Sequence, residues 1–229
     1  MERDKFEGLV TRREVLIGAG AALAATGAIA ADSPSGAPRA GKLDLQAFIE
    51  DCKRANSGVD AQPAIKEIME RALAHPDDLL AAVGDPQKGG LKSLYNSPTL
   101  TILNIVWSPL MQLLPHDHNM WAVIGIYTGR EDNIFWERRD STIAATRASA
   151  IGRGDVIALP TDVVHSVANP IGKLTGAIHI YGGDFFAGGR TEWDPESLVP
   201  RPWSIQGAVK QFEESNARFF ATGAKRECT

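Results

Sequence analysis

Apolar side chains recur with two different periods along this chain, and the change from one to the other divides it. Leu45, Phe48, Ile49 and Cys52 fall at helical spacing, as do Ile65, Ile68, Met69 and Leu73 after Pro63, a residue suited to a first helical turn. A third short helix is expected near Asp77. From Thr99 the pattern becomes short runs rich in β-branched and aromatic residues: TLTILNIVW, MWAVIGIY, DNIFWER, STIAATRA, GDVIALP and LTGAIHIY, separated by Gly, Pro, Asn and Asp. Runs of that length and spacing predict an all-β sandwich or barrel. After Asp184 an irregular segment leads to Ile205, Val209 and Phe212, the apolar face of one more amphipathic helix. The expected organisation is a helical extension over residues 42–98, a β barrel over 99–190, and a tail with a helix over 191–229.

The first residues read differently. Thr11-Arg12-Arg13-Glu14-Val15-Leu16 precedes a weakly apolar run, Ile17 to Ala30, that closes with Ala28-Ile29-Ala30. Paired arginines, apolar segment and small-x-small site, in that order, resemble a twin-arginine export signal over residues 1–31, with a Ser/Pro/Gly/Ala linker following over 32–41. The implied location is periplasmic or otherwise exported. The apolar run is too short for a bilayer span, which needs about 20 helical residues, so no stable membrane span is expected.

Composition narrows the partners. The 229-residue chain is 44% hydrophobic and 23% charged, ordinary for a globular protein with one core. A net charge of −4 supplies no basic field for phosphate backbones, so nucleic acid is not an expected partner. Two cysteines, Cys52 and Cys228, cannot form a disulfide framework and lack metal-site spacing. Unpaired thiols are expected, one bridge being the alternative.

The candidate chemistry lies in histidines. His116 and His118 open the segment HDHNMWAVIGIY, and alternation along a strand puts them on one face with Met120, Ala122, Ile124 and Ile126. Two imidazoles on one strand face can reach one metal ion. A second group runs from Gly154 through Pro160 to His165 and Asn169, and an antiparallel strand could carry His165 to the same point. Within AIHIY, His179 and Tyr181 share a face while Ile178 and Ile180 take the other. His75 reads as a surface or capping residue, and Trp107, Trp121 and Trp136 as core or wall.

At these residues the chain resembles the cupin superfamily, jelly-roll barrels built as double-stranded β-helices that hold a metal inside. The second cupin motif, G-x5-P-x-G-x2-H-x3-N, is matched from Gly154 to Asn169 with Asp162 in place of the inner glycine. The first is matched at His116, His118 and Gly129, but its acid falls on Ala122 and its leading glycine on Leu110. Three histidines without the acid, together with His179 and Tyr181, are similar to the thiol dioxygenases exemplified by cysteine dioxygenase. There a Ser-x-His-x-Tyr strand aims its tyrosine at substrate and oxygen; here Ala177 replaces the serine.

The resemblance implies a mainly β cupin barrel with N-terminal helices and a C-terminal helix. It implies a metal site of His116, His118 and His165, with His179 and Tyr181 in catalytic roles. It also implies an Fe(II) dioxygenase that oxidises a small thiol with O2 to a sulfinic acid. The strand position that supplies a carboxylate-gripping arginine in cysteine dioxygenase falls on Leu103, leaving Arg147, Arg153 and Arg190 as unranked alternatives. Histidine ligands alone do not choose the metal. A cupin enzyme of another kind, whether dioxygenase, isomerase or hydrolase, and a non-catalytic periplasmic binding cupin stay open.

Overall fold

The computed structural model describes residues 43–221; residues 1–31, expected to be an export signal, the expected linker and Cys228 lie outside them. Three helices come first: α1 (Leu45–Asn56), α2 (Ala61–Ala72) and α3 (Pro76–Val83). Asp44 caps α1, its Oδ1 accepting from the backbone N–H groups of Gln46 and Ala47 at 3.0 Å each. Pro76 starts α3, where a missing N–H costs nothing, and exposed His75 sits at the N-cap without a side-chain cap bond.

Eleven strands follow: β1 (Gly90–Asn96), β2 (Thr101–Trp107), β3 (Gln112–Asp117), β4 (Ala122–Thr128), β5 (Arg130–Arg139), β6 (Thr142–Gly152), β7 (Val156–Leu159), β8 (Val164–Ala168), β9 (Thr175–Tyr181), β10 (Thr191–Trp193) and β11 (Pro200–Pro202). They form two antiparallel sheets, in the orders β1-β2-β9-β4-β7 and β11-β10-β3-β8-β5-β6. This is the jelly-roll, double-stranded β-helix architecture that the sequence led us to expect, with helices before and after the strands. Helix α4 (Ile205–Ala221) ends the described chain.

Two cores explain why β2 and β9 are buried along their whole length. On β9, Ala177 and Tyr181 face the barrel interior with Leu103, Ile105, Ile124 and Phe135. Ile178 and Ile180 face outward, under Phe48, Ile49, Ile65, Met69 and Leu73 of the helical layer. A strand covered on both faces reads as a continuous apolar run, which is the TLTILNIVW and LTGAIHIY pattern. Cys52 is a fully buried member of the outer core, and burial pushes its thiol pKa up to about 12.

Several local expectations are corrected. The sheet begins at Gly90, ahead of Thr99, and the irregular segment after Asp184 contributes β10 and β11 to the second sheet. These strands are short or polar, so no alternation marked them. The segment from His116 to Ile126 is not one strand: β3 ends at Asp117 and β4 begins at Ala122 in the other sheet, with Asn119 at φ 54° in the bend. On α4 the buried positions are Ala208, Phe212 and Ser215, while Val209 is 40% exposed.

Candidate metal centre

Strands β3 and β8 pair antiparallel with His116 directly opposite His165, so two imidazoles leave one sheet side by side. His118 arrives from the bend just past β3, and its Nε2 lies 3.1 Å from the Nε2 of both His116 and His165. All three side chains are buried, and one donor atom from each lies within 4.8 Å of the others.

The far side of two rings is anchored. His116 Nδ1 lies 2.9 Å from the Leu114 carbonyl, which can only accept, so this nitrogen carries the proton and Nε2 offers a lone pair inward. His165 Nδ1 lies 2.7 Å from Asn133 Oδ1. Asn133 Nδ2 in turn donates to Glu131 Oε1 at 3.0 Å, which fixes the amide orientation and makes His165 the donor to Oδ1. Among the described residues, His118 Nδ1 is buried without a hydrogen-bond partner.

Burial pushes the pKa of His116 down to about 4 and drives those of His118 and His165 well below the ordinary histidine value. Three neutral imidazoles therefore converge, and a cation between their nitrogens is the partner that arrangement fits. Two nitrogens 3.1 Å apart can share one ion at about 2.1 Å from each. The free volume among the cavity residues is about 20 Å³, room for an ion or one water.

Carboxylates near the centre are turned away or occupied. Asp117, between the two histidines, binds Arg138 and the Thr191 N–H, each at 2.8 Å. Glu192 pairs in register with His116, but its Oε1 accepts from Arg201 Nε at 2.7 Å. Ala122, at the motif's acid position, stands opposite Tyr181 across β4 and β9.

His179 and Tyr181 come together beside the three histidines. His179 Nδ1 is 3.1 Å from Tyr181 Oη, and the Tyr181 ring packs edge-on against His118 at 5.0 Å between centroids. Burial pushes the Tyr181 hydroxyl pKa up, which keeps it protonated at neutral pH. Glu131 approaches His179 from β5. Its Oε2 lies 3.5 Å from His179 Nε2, an electrostatic contact short of a formed hydrogen bond, and accepts from Trp107 Nε1 at 2.8 Å.

Glu131 thus touches both halves of the site, through Asn133 to His165 and directly to His179. Sequence reading missed Glu131 and Asn133, although both stand two-residue steps from inward-facing Phe135. The signal was inverted: on β5 the polar residues point in, and Ile134, 42% exposed, points out. Asn169 of the second motif is a structural clip, its Nδ2 donating to the carbonyls of Trp107, Ser108 and Lys173. Of the three arginines, Arg153 pairs with Asp77 by the helical layer, and Arg147 lies over Phe135, which separates it from His165 in the same cross-strand row. Arg190 is buried between Phe185 and Trp203, whose rings line the cavity.

Fold and site together define a jelly-roll barrel enclosing a three-histidine group that could hold a metal. No family model matches the sequence. Similar solved structures include an RmlC-like cupin family protein with a double-stranded β-helix fold from Methanocaldococcus jannaschii. It has 16% identity and a TM-score of 0.37, over 44% of this chain and 85% of that one. A conserved protein with a double-stranded β-helix domain from Klebsiella pneumoniae gives 9% identity and a TM-score of 0.40, over 49% and 87%. An oxalate decarboxylase variant from Bacillus subtilis gives 16% and 0.36, over 44% and 27%. Likenesses this faint say nothing about chemistry, which rests on the residues themselves.

Proposed function

We propose that the chain is a metal-dependent cupin enzyme, a non-haem Fe(II) dioxygenase that oxidises a small thiol with O2 to a sulfinic acid. The observation that carries this reading is a neutral three-histidine set with a protonated tyrosine hydroxyl beside it and no free carboxylate among the ligands. A dication held there keeps its full charge, which favours an anionic ligand such as a thiolate.

The overall change is balanced without an external reductant: R–SH and O2 give R–SO2H, the S–H bond being replaced by two S–O bonds and both oxygen atoms being retained. His116, His118 and His165 would hold the ion, with the Leu114 carbonyl and Asn133 setting the tilt of two rings. Bound iron would supply the acidity that ionises the thiol and the electrons that activate oxygen. Tyr181 keeps its proton and hydrogen-bonds at the reacting group, with His179 and Glu131 fixing its position. Phe185, Trp203 and Phe212 close the cavity against water. Residues 1–31 would direct export, which fractionation of an Arg12→Lys, Arg13→Lys variant tests by its retention in the cytoplasm.

One observation favours a second reading, a metal-binding cupin without turnover: the free volume of about 20 Å³ leaves no room for a substrate beside an ion unless the wall shifts. Oxygen uptake by anaerobically Fe(II)-loaded protein, measured with cysteine, 3-mercaptopropionate and cysteamine, separates the two. Sulfinate formed in step with oxygen consumed, and loss of turnover with metal retained in Tyr181→Phe, are the expected results. Full metal occupancy with no uptake for any thiol would refute the dioxygenase reading and leave the binder.

A further inference from the structure

The wall around the three histidines has two kinds of member. Residues such as Leu91, Ile105, Trp107 and Val167 belong to strands and are fixed by the ladders of the two sheets. Phe185, Trp203, Ala208 and Phe212 come from outside those ladders. With all of them in place the free volume is about 20 Å³, so a substrate enters only when one of the second kind withdraws.

Phe185 is pinned: its N–H donates to the fully buried Thr101 Oγ1 at 3.0 Å, and its carbonyl accepts from Arg190 Nη2. The Trp203 N–H donates to the Arg190 carbonyl at 3.0 Å, which ties the chain just after β11 to the chain just before β10. Exposed Ser204 then caps α4, its Oγ accepting from the Gly207 N–H at 3.0 Å. Beyond that point the attachment is narrow. Ala208, Phe212 and Ser215 are the buried residues of α4, whereas the N-terminal helices bury Cys52, Ile65, Met69 and Leu79 completely. The Phe212 ring stacks on Trp107 at 5.3 Å between centroids and 20° between planes. One turn on, Asn216 Oδ1 accepts from the Gly89 N–H at 2.8 Å and the Ser108 hydroxyl at 2.7 Å, while its Nδ2 donates to the Gly89 carbonyl at 2.9 Å. A Cβ at Gly89 would collide with the Ser108 hydroxyl, so this docking point needs the glycine. A helix held chiefly by one ring and one amide can open far below the cost of unfolding the barrel.

We propose that α4 is the gate of the cavity, swinging about the junction of Trp203 and Ser204 to draw Phe212 off Trp107 and Asn216 off Gly89. Phe212 is the stopper and Asn216 the latch. Trp107 also meets the His179 ring edge-on at 6.0 Å, so withdrawal of Phe212 opens the cavity on the His179 side. This deepens the function proposed above and rests on it only for what passes the gate, a small thiol inward and its sulfinate outward.

Uptake and release of Co(II) by the full chain, followed against a coloured chelator, test this. A gate changes how fast an ion passes in both directions and not how tightly it is held. Asn216→Ala, which deletes three hydrogen bonds, and Phe212→Ala should each speed uptake and release together by about tenfold or more, with the dissociation constant unchanged. Val209→Ala, on the exposed face of α4, should change neither rate. Unaltered rates in both variants would overturn the gate, and so would a faster release alone, which marks damage to the histidines. Hydrogen exchange of the metal-free protein supplies a second readout: the α4 amides should exchange together and well before those of β2 and β9, and Asn216→Ala should speed exchange in α4 only. Exchange of α4 no faster than that of the buried strands would overturn the proposal. Early exchange of α4 in a protein that takes up no Co(II) would instead overturn the metal-centre reading and leave the gate standing.

Discussion

Replacing Asn133 with leucine tests how the site is held. The side chains are nearly the same size, but leucine removes the acceptor for His165 Nδ1, 2.7 Å away, and the donor to Glu131 Oε1, 3.0 Å away. Asn133 is 1% exposed and Glu131 fully buried, so water does not replace either bond without opening the core. Each orphaned buried group costs about 1–3 kcal/mol, so the metal-free protein should lose about 2–6 kcal/mol, with the lower half expected after partial relief by the apolar chain. His165 also loses the bond that fixes its tautomer, and changes of that kind cost metal ligation about 10- to 100-fold. Urea unfolding of metal-free protein measures the first quantity and competition against a coloured chelator the second. Trp136→Phe, which breaks a bond to Ser166 at 3.1 Å, is the control for damage to β5 and should leave metal affinity intact. Metal affinity within about threefold of wild type in Asn133→Leu would refute the role assigned to this bond.

Further outcomes follow from the buried histidines and from two turns of the barrel. The unfolded chain titrates its histidines near 6.5, whereas burial holds His116 near 4 and the other two well below their ordinary value. Between those values the unfolded state binds more protons, so metal-free protein should lose stability as pH falls from about 6.5 towards 4. His116 alone contributes about 3 kcal/mol across that window; a flat Tm profile there would contradict the buried neutral triad. Gly129→Ala should cost more than about 2 kcal/mol by chemical unfolding, because Gly129 has φ 80° and an added Cβ would meet the Thr175 Cα at 2.8 Å. Leu110→Gly should leave stability unchanged or raise it by up to about 1 kcal/mol. Leu110 is 69% exposed at φ 58°, the conformation that the motif's missing glycine would adopt without strain. A loss beyond about 1 kcal/mol would refute that account.

Much of this molecule is determined locally. Period-two runs bounded by Gly, Pro, Asn and Asp settle where most of the barrel strands lie, though not β1, β10 or β11. Histidine spacing with the Gly154–Asn169 frame settles which imidazoles are candidates, because both features reflect contacts within a few residues. Asp162 replaces the frame's inner glycine without placing that turn in the left-handed region, so the departure costs the backbone nothing. What only the tertiary structure decided is which face of each strand looks inward and what lies across from it. Alternation groups Glu131, Asn133 and Phe135 on one face of β5 but cannot say that this polar face is the buried one, since that depends on the pairing of β5 with β8. The bend that sends His118 between the sheets, and the return of Arg190 beside Tyr181 and Phe185, likewise depend on strands distant in sequence. Periodicity records which side chains share a surface, whereas burial and charge pairing depend on the partner that surface meets, and the partner is chosen by the whole chain.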